Sequence, residues 1–149
     1  MRPSASRLYF AYGSNMDLGQ MATRCPGARV VEGAVLADRR FIIAARGYAN
    51  VVVAPGEAVF GLLWDLPPAD EASLDGYEGV RPGLYHKDEC EVLTTGGRHV
   101  RALLYLAAET GTGDPQPGYL EGIVAAARHH GLPADYVALL ESWFPGRRG

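Results

Sequence analysis

The hydrophobic and polar positions divide the chain into a strand-rich first two-thirds and a helical last third. Leu8–Tyr12 is an unbroken apolar and aromatic run that stops at Gly13-Ser14-Asn15, and it predicts a first strand. A short helix is expected next, from Met16 or Asp17 to Arg24, ended by Pro26-Gly27, with Ser14 or Asn15 as its N-cap. Arg29–Leu36 and Arg39–Ala45 read as two strands around a turn at Ala37-Asp38. Ala49–Ala54 and Ala58–Leu66 read as a second pair around Pro55-Gly56-Glu57. Residues 69–76 fit one or two helical turns with Leu74 inward, and Leu84–Thr94 with His99–Ala107 fit a hairpin. Leu120, Ile123, Val124 and Ala127 form one helical stripe, and Tyr136, Leu139, Leu140 and Trp143 repeat its spacing after Gly131 and Pro133. The tail, Pro145–Gly149, is expected to fray.

This pattern predicts an α+β fold: a mixed, mostly antiparallel, barrel-like sheet with flanking helices. Closing such a sheet removes its exposed edges. No repeat, low-complexity tract or linker interrupts residues 1–149, so a single domain is expected.

Composition narrows the function classes. The net charge is −3, without a Lys/Arg cluster, which argues against a nucleic-acid partner. Hydrophobic residues make up 48% of the chain, enough to bury a core without a disulfide or metal. No apolar run reaches the roughly 20 residues of a membrane span, so no membrane partner is expected. Met1–Arg7 is polar with no signal-peptide core after it, and Cys25 and Cys90 are too few for a disulfide framework. Both features suggest a cytoplasmic protein with reduced thiols.

Candidate chemistry concentrates in two stretches. In the first, Tyr9-Phe10-Ala11-Tyr12-Gly13-Ser14-Asn15-Met16, a strand runs through a Gly-Ser turn into a helix start. Unpaired amides at such a start suit a carboxylate, a phosphate or an oxyanion, while an ordinary capped connection has the same spacing. The stretch lacks the residues of a phosphate-binding P-loop, of a dinucleotide fingerprint and of a Gly-x-Ser-x-Gly elbow. The second stretch is Leu74-Asp75-Gly76-Tyr77-Glu78-Gly79-Val80. Asp70, Glu71, Asp75 and Glu78 read by default as a solvated acidic face. Glu78 stands apart, because a carboxylate set among aromatic and apolar groups loses solvation and its pKa rises toward that of a general base. Tyr85, Tyr105 and Tyr119 either pack across strands or line a polar pocket. His86, His99, His129 and His130 fall in no motif, and the last two are expected at the surface of a helix end. No HExxH, CxxC or calcium-loop pattern is present, so no metal site is expected.

In this order, the landmarks resemble the gamma-glutamylcyclotransferase family, which includes the avirulence-induced AIG2-like proteins. The resemblance rests on Tyr9–Met16, Val59-Phe60-Gly61, Leu74-Asp75-Gly76-Tyr77-Glu78-Gly79, Tyr85, Leu104-Tyr105-Leu106, Tyr119 and Gly131-Leu132-Pro133. It implies a mixed barrel-like fold, no cofactor, and release of 5-oxoproline from a gamma-glutamyl amino acid or amine. By the same resemblance Glu78 is the catalytic base. Tyr9, Tyr12, Gly13, Ser14, Asn15, Tyr85, Tyr105 and Tyr119 are the residues that hold the small-molecule substrate. Removal of a gamma-glutamyl protecting group from a specialised metabolite belongs to the same family repertoire. A non-catalytic binding module on the same scaffold is the remaining alternative, as is a Ser14-dependent hydrolase. Oligomeric state is not legible.

Overall fold

The two longest strands form the central hairpin of a closed barrel. The computed structural model describes residues 6–109 and 111–146. Strand β1 (Arg7–Ala11) pairs antiparallel with β3 (Ala49–Leu66), which pairs along nearly its whole length with β2 (Arg29–Ile43). β2 then meets β4 (Tyr85–Thr94), β4 forms a hairpin with β5 (His99–Ala107), and β5 returns to β1 in the one parallel pairing, Tyr9 beside Leu103. The expected mixed, mostly antiparallel barrel with flanking helices is therefore present.

One pairing differs from expectation. The two short hairpins foreseen within Arg29–Ala45 and Ala49–Leu66 are instead the two arms of a single bent hairpin. The breaks fall near the expected places, with register shifts between Ala37 and Arg39 and a jump on β3 from Val53 to Ala58. Asp38 takes a positive φ of 60° and its Oδ1 accepts the Gly56 N–H at 2.9 Å. The extra residues are thus absorbed as a bulge that bends the ribbon without reversing it.

Close strand contact also explains a glycine. A Cβ on Gly61 would lie 2.4 Å from the Ala11 carbonyl oxygen and 2.8 Å from the Phe10 ring. Only a bare Cα lets β3 carry β1 at this point.

The helices cover the barrel. A 3-10 turn (Ser14–Met16) follows β1, then α1 (Leu18–Arg24). Asp17, and neither Ser14 nor Asn15, caps α1 by accepting the Gln20 N–H at 2.7 Å. Ser14 and Asn15 are taken up by the 3-10 turn, so the capping task moves one turn along. Helix α2 (Pro68–Tyr77) starts with proline at N1 and buries Leu74 completely. Helix α3 (Tyr119–His129) buries the expected stripe of Leu120, Ile123, Val124 and Ala127 and packs on the 3-10 turn. Helix α4 (Ala134–Glu141) buries Tyr136, Val137 and Leu140, while Leu139 is 61% exposed. The helix stops before Trp143, so the i, i+3, i+4, i+7 stripe read through Leu139 is not its buried face. The part of the expected frayed tail beyond residue 146 lies outside the described residues.

Candidate active site

All nine residues singled out in the sequence line one cleft of about 280 Å³: Glu78, Tyr9, Tyr12, Gly13, Ser14, Asn15, Tyr85, Tyr105 and Tyr119. The loop after β1 forms one wall. A Cβ on Gly13 would sit 3.3 Å from the Ala49 Cβ and 3.4 Å from the Tyr119 hydroxyl, so glycine allows that close seat. The helix entered directly from the loop is a single 3-10 turn, closed by Met16 N–H to Gly13 O at 3.1 Å. Its polarity owes little to the helix dipole invoked from the sequence, because three aligned peptides sum to almost nothing.

Asn15 is the hub of this wall. It is 3% exposed, and every polar atom of its side chain has a partner. Nδ2 donates to the Tyr9 hydroxyl at 3.0 Å and to Glu78 Oε1 at 3.3 Å. Oδ1 accepts from Gln20 Nε2 at 2.9 Å and from Arg24 Nη1 at 3.1 Å. The Asn15 carbonyl accepts from the Trp64 indole at 3.1 Å, which ties the turn to β3.

Glu78 caps the C-terminus of α2, its N–H bonded to the Leu74 and Gly76 carbonyls. Burial raises its carboxyl to about 7, against a smaller downward pull from Arg24. The rise foreseen from its aromatic surroundings is therefore present.

The tyrosines form the rest of the lining and hold one another in place. Tyr12 donates to the Tyr105 carbonyl, Tyr85 donates to the Ala49 carbonyl at 2.6 Å, and Tyr105 donates to Asp75 Oδ1 at 2.6 Å. Tyr119 accepts the Ala49 N–H at 3.1 Å. Burial raises all of these phenols, Tyr119 to about 12, so they stay protonated at neutral pH.

The default reading of the other acids as a solvated face fails for three of them. Asp70 is 8% exposed and accepts the Gly27 N–H, while Glu71 and Asp75 share Lys87. Lys87 arrives from β4, a partner that no local pattern announces. His130 likewise differs from the expected free surface residue: its Nε2 lies 2.7 Å from the Met16 carbonyl, bracing the 3-10 turn. Cleft residues not anticipated are Gln20, Arg24, Arg46, Tyr48, Ala49, Tyr77 and Leu84. Arg24 also lies 4.7 Å over the Tyr77 ring. These cleft residues come from α1, the β2–β3 turn, the start of β3, the end of α2 and the approach to β4, and only the closed barrel gathers them.

Among the described residues, no histidine lines the cleft. Among the described residues, no group of three His, Cys, Asp or Glu side chains is placed to hold a metal. Both cysteines are free, and burial pushes each thiol up to about 11, which leaves little thiolate at neutral pH. No described helix is long and apolar enough to cross a membrane.

The profile of the AIG2-like family matches residues 58–140. The chain is 31% identical to the gamma-glutamylcyclotransferase of Homo sapiens, over 94% of this chain and 80% of the human protein. It is equally similar to the Mus musculus gamma-glutamylcyclotransferase, at 31% over 93% of this chain and 79% of that protein. A solved gamma-glutamyl cyclotransferase structure superposes with a TM-score of 0.87 at 31% identity, covering 94% of this chain and 89% of that one. The fold, the order of the landmarks and these likenesses agree: the chain belongs to the gamma-glutamylcyclotransferase family of AIG2-like proteins.

Proposed function

We propose that this chain is a cyclotransferase that converts a gamma-glutamyl compound into 5-oxoproline and a free amine, with Glu78 as the proton-transferring group. The observation that carries this reading is the placement of Glu78. Among the described residues it is the one carboxylate lining the cleft, it shares that cleft with the Tyr12–Asn15 loop, and its pKa is raised to about 7.

The chemistry is an intramolecular acyl transfer. The substrate's α-ammonium has a pKa near 8, so a carboxylate poised near 7 accepts its proton at little cost. The freed nitrogen lone pair adds to the gamma-carbonyl carbon, and the carbonyl electron pair moves onto its oxygen. Collapse of that adduct re-forms the carbonyl and breaks the bond to the leaving nitrogen, which takes a proton back from Glu78. The ring nitrogen then gives its second proton to the freed Glu78 carboxylate, which passes it to the released amine, so the α-nitrogen loses two protons, the leaving nitrogen gains two and no net proton is released. Ring closure needs a folded substrate conformer, and holding that conformer supplies much of the acceleration.

In this reading the backbone amides of the Tyr12–Asn15 loop, with Tyr9, hold the glutamyl portion, and Tyr85 and Tyr105 shape the far wall. Tyr119 has a particular use. Its oxygen already accepts the Ala49 N–H, which leaves its own O–H to donate to the substrate. The reaction as written calls on no cofactor. The same proposal places the chain in the cytoplasm, in keeping with two free thiols. The test is product identification with a panel of gamma-glutamyl amino acids, gamma-glutamyl amines and glutathione, comparing the native chain with Glu78→Gln.

A further inference from the structure

The hydrogen bonds around Asn15 can run in only one direction. Arg24 donates and never accepts, so the oxygen of the Asn15 amide faces Arg24 Nη1 at 3.1 Å. The Asn15 Nδ2 must then face the other way, toward the Tyr9 hydroxyl at 3.0 Å and Glu78 Oε1 at 3.3 Å. A protonated carboxyl accepts best at its carbonyl oxygen, so the N–H donated to Oε1 favours the proton on the other oxygen. Oε2 has no hydrogen-bond partner among the described residues, and Glu78 lines the cleft.

We propose that Asn15 is a positioning residue: held by Arg24, it keeps Glu78 Oε1 as an acceptor, so that the proton taken from the substrate is carried on Oε2. The proton-transfer step is then atom-specific. The substrate N–H bond breaks, an O–H bond forms at Oε2, and that same hydrogen passes to the leaving nitrogen. Asn15 itself is 3% exposed with all its hydrogen bonds made, so its side chain serves Glu78 and not the substrate. This rests on the reading of Glu78 as the base.

The arrangement also bears on when Glu78 is charged. The ionisable groups that act on it or feel it are Arg24 on α1, Tyr9 and Tyr12 at β1, Tyr85 on β4, Tyr119 on α3, and Cys25. The tyrosines and the thiol are neutral at neutral pH, so Arg24 is the charge that favours the carboxylate. Asn15 stands between the two as a neutral spacer and adds a hydrogen bond that is stronger to the charged form.

Asn15→Leu tests this, because leucine fills the volume without the amide. Turnover of a gamma-glutamyl donor is followed between about pH 5 and about pH 9. The expected result is a kcat lower by about tenfold with KM changed less than about twofold. The acid limb of kcat/KM should also move up by about one pH unit. A raised KM at unchanged kcat would make Asn15 a substrate ligand and overturn the proposal, as would an acid limb that stays in place. Asn15→Asp, which keeps the shape and pairs with Arg24, carries the test if the leucine variant does not fold; its added charge should move the acid limb up further. A second readout needs no turnover. The carboxyl of Glu78 is titrated directly by carbon NMR, identified by difference from Glu78→Gln, with and without Asn15→Leu. A higher midpoint in the variant supports the proposal, and an unchanged midpoint overturns it. Absence of 5-oxoproline from the native chain would instead defeat the proposed function, and the titration would still decide the role of Asn15.

Discussion

The Tyr105 hydroxyl donates to Asp75 Oδ1 across 2.6 Å, one helical turn before Glu78 on the same helix. The second oxygen of Asp75 accepts Lys87 Nζ at 3.0 Å, and Lys87 also holds Glu71. Two barrel strands thereby grip the C-terminal half of α2. The clamp fixes the helix end from which Glu78 reaches the cleft.

Loosening that clamp is predicted to cost both stability and rate. Tyr105→Phe removes one charge-assisted hydrogen bond and should lower the unfolding free energy by about 1–2 kcal/mol in a urea titration. It should also lower kcat by up to about tenfold, because a small displacement of the proposed base is felt directly in the reaction geometry. Unchanged kcat with the stability loss would show that the clamp holds the fold but not the base.

The raised carboxyl of Glu78 predicts opposite pH trends for activity and stability. In the proposed mechanism the ionised form is the base, so kcat/KM should rise with pH through about 7. In the unfolded chain the same group ionises near its ordinary value of 4.5. Between these values the folded chain binds more protons, so its stability falls as pH rises, and the full cost is present above 7. Glu78→Gln removes that cost. Allowing for solvent in the cleft, the variant should be more stable on the order of 2 kcal/mol near pH 8 and no more stable near pH 4. Thermal melts at the two pH values check this, and equal stability at both would contradict it.

Gly61→Ala probes the β1–β3 contact. Its methyl would meet the Ala11 carbonyl oxygen at 2.4 Å, and neither backbone can yield without opening the barrel. The expected loss is about 2–4 kcal/mol or failure to fold, read from the denaturation midpoint. A variant within about 0.5 kcal/mol of the native chain would show that the strands can separate there without cost.

Much of this molecule was legible in its residues, and the exceptions have physical causes. The strand before Gly13, the α3 stripe and the final hairpin are written in short-range periodicity, and the structure places them where that periodicity does. Glu78 was marked by its aromatic neighbours, and the upward shift follows from burial of its own carboxyl in the tyrosine-lined cleft. What local pattern does not contain is pairing. Asp38 and Pro55-Gly56-Glu57 carry turn chemistry, but whether the chain reverses or bulges there depends on the facing strand. Asp75, Arg24 and Lys87 look like surface charges until the barrel brings β4 and α1 against α2.

Ser14 separates a cyclotransferase from a serine hydrolase. Its hydroxyl accepts from Gln20 Nε2 at 2.8 Å, and among the described residues no histidine lines the cleft to activate it. Ser14→Ala should therefore weaken turnover by less than about tenfold, the scale of one lost neutral hydrogen bond. Loss of all activity in that variant would return the hydrolase to consideration.

The central claim is tested most directly by identifying the product by mass spectrometry after incubation with gamma-glutamyl donors. The account predicts 5-oxoproline in equal amount to the released amine, with turnover lower by roughly 10²–10⁴-fold in Glu78→Gln. Free glutamate as the product, or near-native turnover without the Glu78 carboxylate, would contradict it.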